Sequence, residues 1–170
     1  MTSFAGPVPL VSEQILHTML HKASESSLKR SHLELHESYL DPIQKVLICL
    51  LSTTLIRPHF HTEKHQSEFF VLLKGEVKVI LFDEAGLVDD IVCLNDLNFI
   101  TEIKPNKIHA VVCISENSFL LEVKQGPYVP SQGKEFPPWS NCLESKEMLK
   151  RLKVIKRGDL LMQNFSLFER

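Results

Sequence analysis

Two histidines, His59 and His61, stand at i and i+2. In an extended segment both imidazoles leave the same face. Seven residues after His61, Glu68 opens an apolar run, Phe69 to Leu73, that Gly75 closes. A further histidine, His109, stands at the start of another strand-like stretch after Pro105. Three imidazoles and one carboxylate form a mixed nitrogen and oxygen set suited to zinc, iron, manganese, nickel or copper. Calcium and magnesium prefer an all-oxygen shell. The expectation is one divalent transition metal held by His59, His61, Glu68 and His109 on β-strands.

Two residues compete for the fourth position. Glu63 would share the face of His61 if that strand ran on, and His65 lies in the connection. Glu68 is preferred because its spacing to Gly75 places it on the following strand. His17 and His21, at i and i+4 on an expected helix, have chelating spacing but no third ligand nearby in sequence, so they read as exposed polar residues. Cys113 shares the face of His109 and reads as a small buried hydrophobe. Candidate substrate contacts are Arg57, His32, His36, Glu122, Lys124 and Tyr128. Arg57 leads them, because its planar fork suits carboxylate or phosphate.

These side chains need a frame. Ser12 reads as an N-cap, with Ile15, Leu16, Met19 and Leu20 at helical spacing over residues 13–22. From residue 28 the period changes, and Leu33 and Leu35 alternate with His32, Glu34 and His36. Strands are expected over 44–51, 54–61, 68–73, 77–81, 87–93, 98–103, 108–114 and 118–124. Turn signals separate them at Asp41-Pro42, at Asp83 to Gly86 and at Pro105-Asn106. Turns every eight to twelve residues imply an antiparallel sandwich or barrel. On the strand over 118–124, Glu122 and Lys124 share one face, and an outward direction is the commoner case. Prolines make 127–140 an extended wrap anchored by Phe136 and Trp139. A helix over 144–157 places Met148, Leu152 and Ile155 on one stripe opposite a solvated basic face.

The combination His59-x-His61, Glu68, Gly75, Pro105 and His109 resembles the two motifs of the cupin superfamily. The segments RSHLELHES (30–38), DPIQKVLICL (41–50), IRPHFH (56–61), LEVKQGPY (121–128) and KEFPPW (134–139) look like the WbuC-type cupin fold metalloproteins. The resemblance spans about residues 28–140. It implies an all-β fold, a cupin jelly-roll barrel with a short N-terminal helix and a C-terminal helical extension. The corresponding division is 1–27, 28–140 and 141–170. It further implies a homodimer, and a small-molecule ligand such as a sugar or nucleotide-sugar of surface polysaccharide synthesis. An iron-dependent dioxygenase and a non-catalytic sugar-binding or regulatory protein are the alternatives. The chain departs from the general pattern in two places. Thr53 stands where a glycine precedes the first histidine, and Pro105-Asn106-Lys107-Ile108-His109 lacks the second-motif glycine and is one residue shorter. Asn106 is expected to supply the left-handed turn conformation in its place.

Composition bounds the rest. At 170 residues with net charge −2, the chain suits one domain and has no global field favouring nucleic acid or an anionic membrane. The longest apolar run, Val46 to Leu51, is far too short to span a bilayer. The start shows no basic segment leading into an apolar one, and the four cysteines show no CxxC pairing. The expectation is a cytoplasmic protein with reduced thiols.

Overall fold

Helix α1, Glu13–Glu25, begins where the Ser12 side chain accepts the Ile15 N–H at 3.5 Å. Its buried residues, Leu16, Met19 and Ala23, recur every three or four positions and form one stripe. The structure is a computed structural model describing residues 2–3 (backbone only), 10–129 and 133–161. Strands β1 (Thr2–Ser3), β2 (Arg30–Glu34), β3 (Ile43–Leu51), β4 (Glu68–Lys74), β5 (Val77–Phe82), β6 (Val88–Leu94), β7 (Ile100–Ile103), β8 (Ile108–Cys113) and β9 (Asn117–Gln125) follow in chain order, and α2 spans Ser145–Val154. They form a six-stranded sheet, β1-β2-β3-β9-β4-β7, and a three-stranded sheet, β6-β5-β8. All pairings are antiparallel except β1 with β2.

Strand phase sorts the side chains into three apolar clusters. Ile48, Leu50, Phe70, Leu72, Val77, Val79, Val111 and Leu120 fill the space between the sheets. Leu47, Cys49 and Phe119 leave the opposite face of the large sheet and pack on α1. Ile80, Phe82, Ala110 and Val112 leave the outer face of the small sheet and pack on Trp139, Met148 and Leu152. Each large apolar side chain so buried contributes about 1.5–3 kcal/mol. Both sheets are therefore covered on both faces. Trp139 is buried in this arrangement, whereas Phe136, the other expected anchor, is 49% exposed.

Two expectations change here. Among the described residues the two sheets are not hydrogen-bonded into a closed barrel. The run 54–61 is also not a strand, since it pairs only as isolated bridges, His59 with His109 and Phe60 with Glu135. Pro58 lacks a backbone donor, so a continuous ladder beside β8 is interrupted there. The chain turns are as expected at two points. Gly75 has φ +89°, and a Cβ there would meet the Asn117 carbonyl at 2.4 Å. Asn106 has φ 61°, the left-handed conformation foreseen for it.

The four cysteines are free, Cys49 and Cys113 buried and Cys93 and Cys142 exposed. Among the described residues no helix is long and apolar enough to cross a membrane.

Candidate metal centre

Glu68 opens β4 on its inward face, and His109 follows on β8 across the interior. The loop after β3 carries His59 and His61 along the edge of β8, where His59 and His109 exchange backbone hydrogen bonds at 2.9 and 2.8 Å. These four residues are all buried, and their ligand atoms lie within 4.8 Å of one another. Two metal–ligand bonds of about 2.1 Å span about 4.2 Å, so the group need draw in only slightly around an ion. Neither Glu63 nor His65 belongs to it. Cys113 lies apart, its thiol 3.2 Å from the Ser118 hydroxyl.

What stands behind the rings fixes their chemistry. His59 Nδ1 lies 2.8 Å from the Arg57 carbonyl and His109 Nδ1 2.9 Å from the Lys107 carbonyl. His61 Nδ1 meets the Gly133 carbonyl. A carbonyl only accepts, so each Nδ1 must carry the proton, and each neutral ring turns an Nε2 lone pair inward. His61 Nε2 lies 3.0 Å from Glu68 Oε1, and His109 Nε2 lies 2.9 Å from Glu68 Oε2. Both Nε2 atoms and Glu68 Oε2 are buried without a hydrogen-bond partner. Acceptors facing acceptors at this range repel unless a cation lies between them. The residues present fit a divalent ion on this ground alone.

Electrostatics reinforce the assignment. Burial holds His59 well below the ordinary imidazole value, aided by the charge of Lys134. Burial pushes the Glu68 carboxyl upward, but positive charge on the side of His109 and His61 outweighs it and holds the group well below the carboxylate range, a role that a metal ion in the same place would fill. His59 is thus held neutral and Glu68 ionised, the protonation states a metal requires of them.

The expected substrate contacts divide. Arg57 lines the cavity beside His59 and is also committed within the protein. Its guanidinium donates to the carbonyls of Ser140 and Leu143 at 2.9 and 3.1 Å and to the Ser145 hydroxyl at 3.2 Å. Glu122 and Lys124 point inward rather than outward, because α1 already covers the outer face of the large sheet. They pair at 2.7 Å, with Lys124 Nζ 3.7 Å from Glu68. His32, on β2, also faces inward, and burial first, then the nearby Arg30 charge, lowers it to about 4. His36 is buried, with the Lys45 N–H donating to its Nδ1 at 3.1 Å. Tyr128 sits under Lys124, whose Nζ is 5.1 Å from the ring centre. His17 and His21 are exposed on α1.

Three cavities surround the metal group. A small one of about 60 Å³ has His59, Glu68 and His109 in its wall. One of about 230 Å³ takes in His32, His36, Glu122, Lys124 and Tyr128. The third, of about 410 Å³, opens past His59, Arg57 and Phe136. Arg30 and Lys134 line all three. Neither residue stood out in the sequence. Arg30 was accessible to strand phase, since it precedes His32 by two on the same face. Lys134 lies on a short strap, residues 133–136, and no periodicity marks it. The strap is held by paired Phe60 and Glu135 backbone hydrogen bonds of 2.9 Å and by the Gly133 carbonyl on His61. A Cβ at Gly133 would meet the Tyr128 hydroxyl at 2.7 Å, so any other residue there would have to displace the Tyr128 ring.

Comparison with known proteins adds the following. A profile for a domain of unknown function (DUF6016) matches residues 11–94, which include His59, His61 and Glu68 but not His109. No curated protein matches the chain in sequence. Structural neighbours are cupin superfamily proteins. One, from Desulfitobacterium hafniense, is 18% identical and covers 56% of this chain and 76% of its own, with a TM-score of 0.45. A cupin 2 conserved barrel domain protein from Rhodopseudomonas palustris is 11% identical over 64% of this chain and 66% of its own, TM-score 0.49. KdgF from a Halomonas species is 14% identical over 60% and 82%, TM-score 0.47. Likeness at these scores carries no argument about chemistry.

Proposed function

We propose that this chain is a metalloprotein of the cupin jelly-roll kind, holding one divalent transition metal on His59, His61, Glu68 and His109, and that it acts as a metal-dependent enzyme on a small sugar-like substrate. The observation that carries the metal is the set of three Nδ1 atoms committed to backbone carbonyls, with Nε2 lone pairs converging on a buried carboxylate. The sugar and the WbuC-type assignment rest on the sequence resemblance described above. A cavity walled by three of the four ligands favours a working site over a purely bracing one. When bound, the ion supplies Lewis-acid polarisation of a substrate oxygen.

The chain's own groups do the remaining tasks. The backbone carbonyls of Arg57, Lys107 and Gly133 fix ring orientation and tautomer. Lys124, bridging Glu122 and Glu68, holds a positive charge beside the carboxylate that binds the metal. The apolar packing of Leu50, Phe70 and Val111 keeps bulk water from one side of the group.

Metal analysis of protein purified without added metal tests this reading. About one equivalent of a divalent transition ion per chain is expected. Because metal binds the folded state preferentially, saturation a thousandfold above Kd adds about 4 kcal/mol of stability, and chelation lowers the melting temperature accordingly. Protein that lacks metal, takes none up on titration and melts unchanged with chelator rules the site out.

A further inference from the structure

The charges around the cavity that opens past His59 are not balanced. Among the described residues the 410 Å³ cavity is lined by Arg30, Arg57 and Lys134 and by no carboxylate. In the 230 Å³ cavity the acids are already engaged: Glu34 accepts the Tyr39 hydroxyl at 3.1 Å, and Glu122 pairs with Lys124 at 2.7 Å. Arg30 gives one N–H to the Leu55 carbonyl at 3.0 Å and has no acid partner among the described residues. Lys134 likewise has no ion pair among them, although it stands at all three cavities. Glu68 and Glu122 act on Lys134 through space, yet burial still outweighs them and lowers its ammonium. With no acid in ion-pair contact with Arg30 or Lys134 among the described residues, a ligand's negative charge would offset the cost of holding both cations beside a divalent ion.

We propose that the ligand of this site is a small organic anion, whose carboxylate or phosphate is gripped by Arg30 and Lys134 while a neighbouring oxygen faces the metal group. The inference rests on the metal reading of the same site and adds the charge class of the substrate. Arg30 supplies planar donors suited to two anion oxygens, and Lys134 a mobile point charge. Phe136, half exposed at the mouth and 6.2 Å from the His59 ring, gives the uncharged part of the ligand an apolar wall. The low value of His32 is set first by burial, and Arg30, Lys134 and Lys124 add to it against the opposing charge of Glu122. A neutral imidazole adds no further positive charge and can donate or accept at the ligand.

Calorimetric titration of the full chain with matched probes provides the test. The probes are glucuronate for a carboxylate, glucose 1-phosphate for a phosphate, and glucose for neither. At least one of the two anions should bind ten times or more tighter than glucose, and which one does so identifies the anionic group. Replacing Lys134 with Met, or Arg30 with Gln, should weaken that anion by about tenfold to a hundredfold, the range for hydrogen bonds to charged groups. Metal content should stay at the wild-type level in both variants. Arg30 also braces the Leu55 loop, so the exposed Lys134→Met carries the decision if Arg30→Gln folds poorly. Glucose binding as tightly as both anions, an absence of binding by all three probes at millimolar concentration, or anion affinity unchanged in Lys134→Met would overturn the proposal. Normal metal content with any of these results sinks the anion proposal alone. Anion binding that depends on Lys134 in protein holding no metal sinks the metal reading instead.

Discussion

Two of the protein's closely spaced histidine pairs behave differently, and spacing alone favours neither. His17 and His21 lie at i and i+4 on α1, a standard chelating interval. His59 and His61 lie at i and i+2 in a loop that forms no continuous strand. The helical pair is exposed, and His21 Nδ1 turns to Glu25 at 3.3 Å on the surface. The loop pair is buried, backed by carbonyls and aimed at a carboxylate and a third ring. Ligand character here comes from what stands behind each imidazole, which sets its tautomer and removes its rotational freedom.

The sharpest way to break this contrast is to delete rings from each pair. His61→Ala or His109→Ala should lower metal affinity by more than the ~10–100-fold typical of losing an outer partner. His17→Ala and His21→Ala should leave bound metal unchanged when content is measured by elemental analysis. Loss of metal in the helical variants would move the site to α1.

A smaller effect separates the rival carboxylates. Glu68→Gln keeps the shape but turns amide hydrogens or a neutral oxygen toward His61 and His109, so metal retention under chelator challenge should drop at least tenfold. Glu63→Gln should match wild type. The reverse order would mean that the loop, not β4, supplies the oxygen ligand.

The smallest effect is the pH dependence of the metal-free fold. His59 and His32 have folded values below the ~6.5 of the free side chain. As pH falls through ~6.5 the unfolded chain binds protons that the folded chain refuses, so stability present above that pH is progressively lost. For His32 the loss runs down to about 4 and amounts to roughly 3 kcal/mol at most. His32→Gln should flatten the decline in denaturant midpoint between neutral pH and the acid limb. An equally steep decline in that variant would place the burden on other groups. In the loaded protein, the same depression of His59 should push acid release of metal below the free-imidazole range.

Much of this was legible in the residues. The ligand types, the capped helix, the strand phases of β5 and β8 and the turn at Asn106 all follow from local chemistry. The inward polar face of β2 was not, because His32 and Glu34 alternating with Leu33 reads equally as a strand with one side in water. Only α1, packing on Leu33 from the other side, settles which face is which. The same inversion turned Glu122 and Lys124 inward. The clasp of Arg57 on Ser140 and Leu143 was not legible, because these partners lie more than eighty residues away and no local pattern reports a contact across that distance. The strap bearing Gly133 and Lys134 is irregular, so neither period could find it.

Arg57 joins two parts of the molecule in one residue. Its carbonyl orients His59, while its guanidinium grips the turn leading into α2. Ser140 answers from the other side by donating its hydroxyl to the Pro58 carbonyl at 2.7 Å. Whatever steadies one end must steady the other, because a coupling free energy is reciprocal. Loading the centre should therefore slow amide exchange in α2, far from any ligand atom. Loosening α2 should in turn quicken the escape of a bound ion, so that α2, though it touches no ligand atom, would set how long the ion stays.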